Sequence, residues 1–103
     1  MSYEVFRTET VNDQLNDIIW YIADESADVS RALRILDVLE AAIMSLSDFP
    51  ERGGTPRHGH LKKQGYRVLI VERYLVFYKV YEASKTVVVS AVVDERRDYL
   101  LLI

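Results

Sequence analysis

Two apolar runs, residues 66–71 and 74–81, stand on either side of the charged pair Glu72-Arg73. Aliphatic, largely β-branched, and aromatic residues fill both, and a two-residue polar break between such runs is the mark of adjacent strands joined by a tight turn. In the second run both alternation sets are apolar, Tyr74/Val76/Tyr78/Val80 on one side and Leu75/Phe77/Tyr81 on the other. That strand is expected to lie centrally with both faces covered. The first run puts Tyr66, Val68 and Ile70 on one face and Arg67, Leu69 and Val71 on the other, which leaves Arg67 projecting from the end of the sheet. A third run at 86–93 adds another strand, and 3–8 alternates as a short strand near the N-terminus.

Between these strands the period changes. Val11, Leu15, Ile18 and Ile22 fall at helical spacing, with Ile19 and Trp20 widening the stripe. Thr10 and Asp13 have the spacing of a capping box, with Asp where Glu or Gln is commoner, and predict a helix over 11–24. Residues 25–28 leave room only for a turn, and Asp28 or Ser30 is placed to cap the next helix. Leu33, Leu36, Leu39 or Glu40, Ile43 and Leu46 then advance by threes and fours. They predict about five turns ending before Phe49-Pro50, because proline disfavours helical geometry in the residue before it. Helices joined so briefly are antiparallel neighbours that cannot bury both stripes in each other, so the hairpin is expected to lie on a sheet.

Residues 51–64 read as a basic, glycine-punctuated loop, and the four apolar residues 100–103 are expected to be packed. The order of elements is that of a single α+β domain over 1–103. It has an N-terminal strand, a two-helix hairpin and a mostly antiparallel sheet with three further strands.

Composition sets limits on this picture. A chain of 103 residues supports one core and not two. Half its residues are hydrophobic and 28% are charged, the balance of an ordinary soluble protein. No apolar run approaches the roughly 18 to 20 residues of a membrane span, and Met1-Ser2-Tyr3-Glu4 lacks the features of a signal peptide, so no membrane partner is expected. With no cysteine, disulfides and thiol chemistry drop out, and the cytoplasm is the expected location. The net charge of −3 hides a division: residues 1–50 carry ten acids and three bases, residues 51–103 six acids and ten bases. The sheet half is therefore basic.

Few side chains suggest chemistry by themselves. Arg67 reads either as a functional cation or as a surface arginine paired with an acid such as Asp94 or Glu95. His58 and His60 lie in a glycine-rich loop without a third ligand, the pattern of exposed loop residues and not of a metal site. Five of the seven tyrosines follow residue 65, where packing in strands is a commoner role than base stacking. No nucleophile–base array, phosphate loop or dinucleotide fingerprint is present, and no cofactor is implied.

Five segments in order, Ile18-Ile19-Trp20-Tyr21-Ile22, Leu46-Ser47-Asp48-Phe49-Pro50-Glu51-Arg52-Gly53, Gly65-Tyr66-Arg67-Val68-Leu69-Ile70, Tyr74-Leu75-Val76-Phe77-Tyr78-Lys79-Val80 and Arg96-Arg97-Asp98-Tyr99-Leu100, resemble the RelE/ParE superfamily of toxins from type II toxin–antitoxin pairs. The resemblance implies a growth-arresting, plasmid-stabilising toxin neutralised by a cognate antitoxin, which alone reads operator DNA. It also implies one of two targets. RelE-like members cut messenger RNA on the ribosome without a metal, using dispersed cations and a C-terminal tyrosine. ParE-like members block DNA gyrase. On a RelE-like reading Arg67, Arg96, Arg97 and Tyr99 would be catalytic. On either reading Arg57, Lys62, Lys63, Arg67, Arg96 and Arg97 would bind the target. Leu69 and Leu75 fall where RelE-like nucleases carry further basic residues, so the resemblance favours a ParE-like inhibitor. A RelE-like endoribonuclease is the alternative, and a non-toxic antitoxin-binding module the second.

Overall fold

The computed structural model describes residues 2–97, 99 and 103. Strand β1 (Glu4–Arg7) leads into helix α1 (Glu9–Ser26) and helix α2 (Val29–Ser45); a short helix α3 (Gly59–Lys63) precedes strands β2 (Arg67–Val71), β3 (Tyr74–Tyr81) and β4 (Thr86–Asp94). The sheet order is β1-β4-β3-β2. β1 runs parallel to β4, and the other two pairs are antiparallel. The expected α+β fold, with its helical hairpin and mostly antiparallel sheet, is the fold observed.

The helices cover one face of the sheet. Val11, Leu15 and Ile22 of α1 and Ile35, Leu39 and Ile43 of α2 pack with Leu69, Val71, Tyr74, Val76, Tyr78, Val87, Val89 and Val92 in one buried cluster. The opposite face carries a smaller core of Leu61, Leu75, Phe77, Ala91 and Val93, joined by Tyr66, Val68, Tyr99 and Ile103. β3 is thus buried from both sides over its first five residues, as its doubly apolar alternation requires.

Two local readings are corrected, and a third feature is new. The N-cap of α1 is Thr8 and not Thr10: its hydroxyl oxygen accepts the Val11 N–H at 3.3 Å. A cap needs extended backbone, and Thr8 has it at φ −72°, ψ 162°, because its own N–H still bonds to the Val89 carbonyl. Thr10 already lies inside the helix. Second, the segment 51–64 is not all loop, since α3 forms within it and buries Leu61 to 3% exposure beneath the sheet's second face. Third, β4 has one residue more than β3 opposite it. Phe77 pairs with Ala91 and Tyr78 with Val89, so Ser90 is the bulged residue. The cap of α2 is Asp28, whose carboxylate accepts the Arg31 N–H at 3.2 Å.

Of the apolar tail, Ile103 is half-buried against the second core. The expectation for residues 100–102 lies outside the described residues.

Candidate functional site

Residues 50–54 are fastened to the sheet by side chains of β2 and β3. The Tyr78 hydroxyl, with its residue fully buried, donates to the Pro50 carbonyl and accepts the Gly53 N–H, each at 2.8 Å. A tyrosine can sit in a core only where its hydroxyl finds such partners. Beside it, Nη2 of Arg67 donates to the carbonyls of Glu51 at 2.9 Å and Gly53 at 2.6 Å. Gly54 then pairs with Val68 as an isolated antiparallel bridge, with N···O distances of 2.8 and 3.0 Å. The approach needs glycine: a Cβ on Gly53 would lie 2.7 Å from both the Tyr78 hydroxyl and the Val68 carbonyl. Arg67 therefore neither projects from the sheet nor pairs with Asp94 or Glu95. It folds back onto backbone carbonyls of the preceding loop.

The chain continues from this anchored segment to Arg57, exposed, and His58, half-buried. The His58 ring meets Tyr99 edge-on at 5.5 Å between centroids, and Tyr99 lies tilted on Phe77 at 5.4 Å. His58 is thus a packing residue and not an exposed loop histidine. His60 is exposed, and its Nε2 lies 3.1 Å from the Gln64 amide nitrogen. Lys62 and Lys63 stand exposed on α3. On the same face, the Lys79 ammonium sits 4.5 Å from the Tyr66 ring centroid.

A second basic group gathers beyond the end of β4. Arg96 wraps Asp94 with three bonds: its backbone N–H at 2.9 Å, Nε at 3.2 Å and Nη2 at 3.0 Å. Arg73 approaches the same carboxylate at 3.9 Å. The Arg96 hydrogen bond holds the Asp94 carboxyl below its ordinary range, against the desolvation that would raise it. Arg97 is exposed and makes no ion pair with a described residue. Arg96 and Arg97 stand on the rim of a cavity of about 450 Å³ whose floor includes Ile18, Tyr74 and Val92.

The residues expected to act together do not meet. Arg67 pairs with Tyr78 on β3, whereas Asp94 pairs with Tyr74, four residues away along that strand. At about 3.3 Å per residue the two positions are roughly 13 Å apart. Tyr99 packs on the second face of the sheet, and Arg67 alternates with Leu69 and Val71 on the helical face. Leu69 and Leu75 are buried to 6% and 8% exposure, on opposite faces, so neither position opens on a shared surface. Sequence reasoning missed the part played by Tyr78. The available signal was a tyrosine in the middle of a strand expected to be covered on both faces, where a buried hydroxyl must find a polar partner.

The sequence pattern that defines the ParE toxin of the type II toxin–antitoxin system, parDE, matches residues 5–99. The chain belongs to the ParE toxin family. Among solved structures, this ParE-family toxin is similar to a chain of the chromosomal ParDE toxin–antitoxin system from P. aeruginosa, with a TM-score of 0.73 at 13% identity over 90% of this chain and 96% of that one. It is also similar to a chain of a RelBE toxin–antitoxin complex from Mycobacterium tuberculosis, with a TM-score of 0.64 at 23% identity over 91% and 92% of the two chains. At these identities the likeness is one of fold. No curated protein matches the sequence. No helix among the described residues is long and apolar enough to cross a membrane.

Proposed function

We propose that this type II toxin arrests growth in the cytoplasm by binding DNA gyrase, and that a cognate antitoxin neutralises it and alone contacts operator DNA. The observation that carries the choice of target is the separation of the candidate catalytic groups. Cleaving RNA without a metal needs a base or its electrostatic substitute, a cation over the phosphate and a proton donor to converge on one bond. Arg67, Tyr99 and the Arg96-Arg97 pair occupy three places, and Arg67 already spends Nη2 on two carbonyls. Binding makes no such demand. Cations spread over a surface steer and hold an anionic partner from several points.

On this reading Arg57, Lys62, Lys63, Arg96 and Arg97 contact the target, and Arg67 contributes through the loop it holds. The test sets the purified protein against gyrase supercoiling and, separately, against ribosome-bound message. Inhibition of supercoiling with intact message is the expected result. Ribosome-dependent cleavage, abolished by Arg67→Ala, would establish the RelE-like alternative, and activity in neither assay would leave an antitoxin-binding module.

A further inference from the structure

We infer that Arg67 and Tyr78 form a clamp that positions residues 50–58, and that Arg67 serves toxicity through this loop and not by touching the target. The inference rests on the toxin reading but on neither choice of target.

Three observations converge on it. Four hydrogen bonds from two side chains, all between 2.6 and 2.9 Å, reach only the backbone of Pro50, Glu51 and Gly53. Backbone contacts of this kind fix the path of a segment whatever side chains it carries. Among the described residues the Arg67 Nε is buried without a partner. That is a cost, which the two charge-assisted bonds from Nη2 to the carbonyls of Glu51 and Gly53 must offset to keep Arg67 in this seat. Finally, the loop leads to places the reading uses: Arg57 follows the clamped stretch by three residues, and His58 carries the contact to Tyr99. Tyr78 and Arg67 approach the same carbonyl-rich turn from neighbouring strands, paired directly in register.

Tyr78 makes the idea separable from a direct contact, because it is fully buried and no target can reach it. Tyr78→Phe removes one hydroxyl and keeps the ring. Gly53→Ala leaves both clamp residues in the sequence unchanged and drives the loop off by a clash of its Cβ with the Tyr78 hydroxyl and the Val68 carbonyl. Each variant, with Arg67→Ala, Arg67→Lys and the double Arg67→Ala/Tyr78→Phe, is expressed as the full chain. Growth arrest is scored by the inducer level that halves growth, and amide hydrogen exchange is followed at Gly54 and Val68.

Arg67→Ala, Tyr78→Phe and Gly53→Ala should each speed exchange at these amides by about tenfold or more while core amides in β3 stay protected. Toxicity should fall in step. The double variant should lose less than the product of the single losses, as for two residues acting through one element. Arg67→Lys, which can still donate to the carbonyls, should recover protection and toxicity together. The clamp is overturned if Arg67→Ala abolishes toxicity with exchange unchanged, if a loosened loop in Tyr78→Phe or Gly53→Ala leaves toxicity at the wild-type level, or if Arg67→Ala affects neither. If one variant also loses β3 protection it has unfolded, and the other two loop variants decide. An error about gyrase would alter none of these outcomes, since growth arrest is read without regard to target.

Discussion

The side-chain carbonyl of Gln14 accepts the Val92 N–H at 2.7 Å, tying the middle of α1 to β4 two residues beyond the bulge at Ser90. β1 pairs with β4 only from Thr86 to Val89, so past that point β4 has no strand on that side and Gln14 supplies an acceptor in its place. Gln14→Leu should therefore destabilise by about 1–3 kcal/mol, the usual result of leaving a shielded N–H without its acceptor. Denaturant unfolding measures it. An unchanged midpoint would mean that water replaces the amide at the cavity rim.

Asp94 gives a pH signature. Its folded carboxyl titrates below the ordinary 3.8 because Arg96 bonds the charged form. A depressed carboxylate contributes stability above its unfolded pKa and loses it as pH falls through the folded one. The melting temperature of wild type should thus exceed that of Asp94→Asn near neutral pH, and the gap should close as pH drops below about 4. A gap that stays constant from pH 7 to pH 2 would refute the assignment.

Phe77 is 1% exposed and forms the surface on which Tyr99 rests. Phe77→Ala should cost about 3–5 kcal/mol through the cavity it leaves. It should also free Tyr99 from the second core, which intrinsic tyrosine fluorescence and proteolysis of the C-terminal segment can follow. A stable variant with a resistant C-terminus would contradict this.

Ala27 links α1 to α2 with φ 53° and ψ 27°, in the left-handed region where a Cβ is crowded. Ala27→Gly should raise stability by about 1 kcal/mol, or about 4 °C in melting temperature for a chain of this size. Thermal unfolding by circular dichroism checks the sign.

Arg97 is exposed and makes no ion pair with a described residue, so Arg97→Glu should leave thermal stability within about 0.5 kcal/mol of wild type. On the proposed gyrase reading, association with gyrase should slow by about tenfold at low salt and by less at high salt, as screening predicts. Equal loss at both salt levels would point to a packing role instead.

The sequence by itself determined the four strands, the two long helices and which strand is buried on both faces, but not α3. Apolar spacing placed α1 and α2, and the doubly apolar run from Tyr74 identified β3 as the strand covered on both faces. These features are local, written in periods of 3.6 and 2 residues. Tertiary structure alone decided the rest. Thr8 displaced Thr10 as the cap because its bond to Val89 keeps it extended, a fact that depends on a strand eighty residues later. The bulge at Ser90 shifts the alternation, so Val87, Val89 and Val92 all face the helices while Ala91 and Val93 face away. No period in the run from Thr86 reveals this, because nearly every residue in it is apolar. Arg67 follows the same logic. Its charge and its place in β2 were legible, but its partners are backbone carbonyls, which every residue carries and no sequence pattern marks.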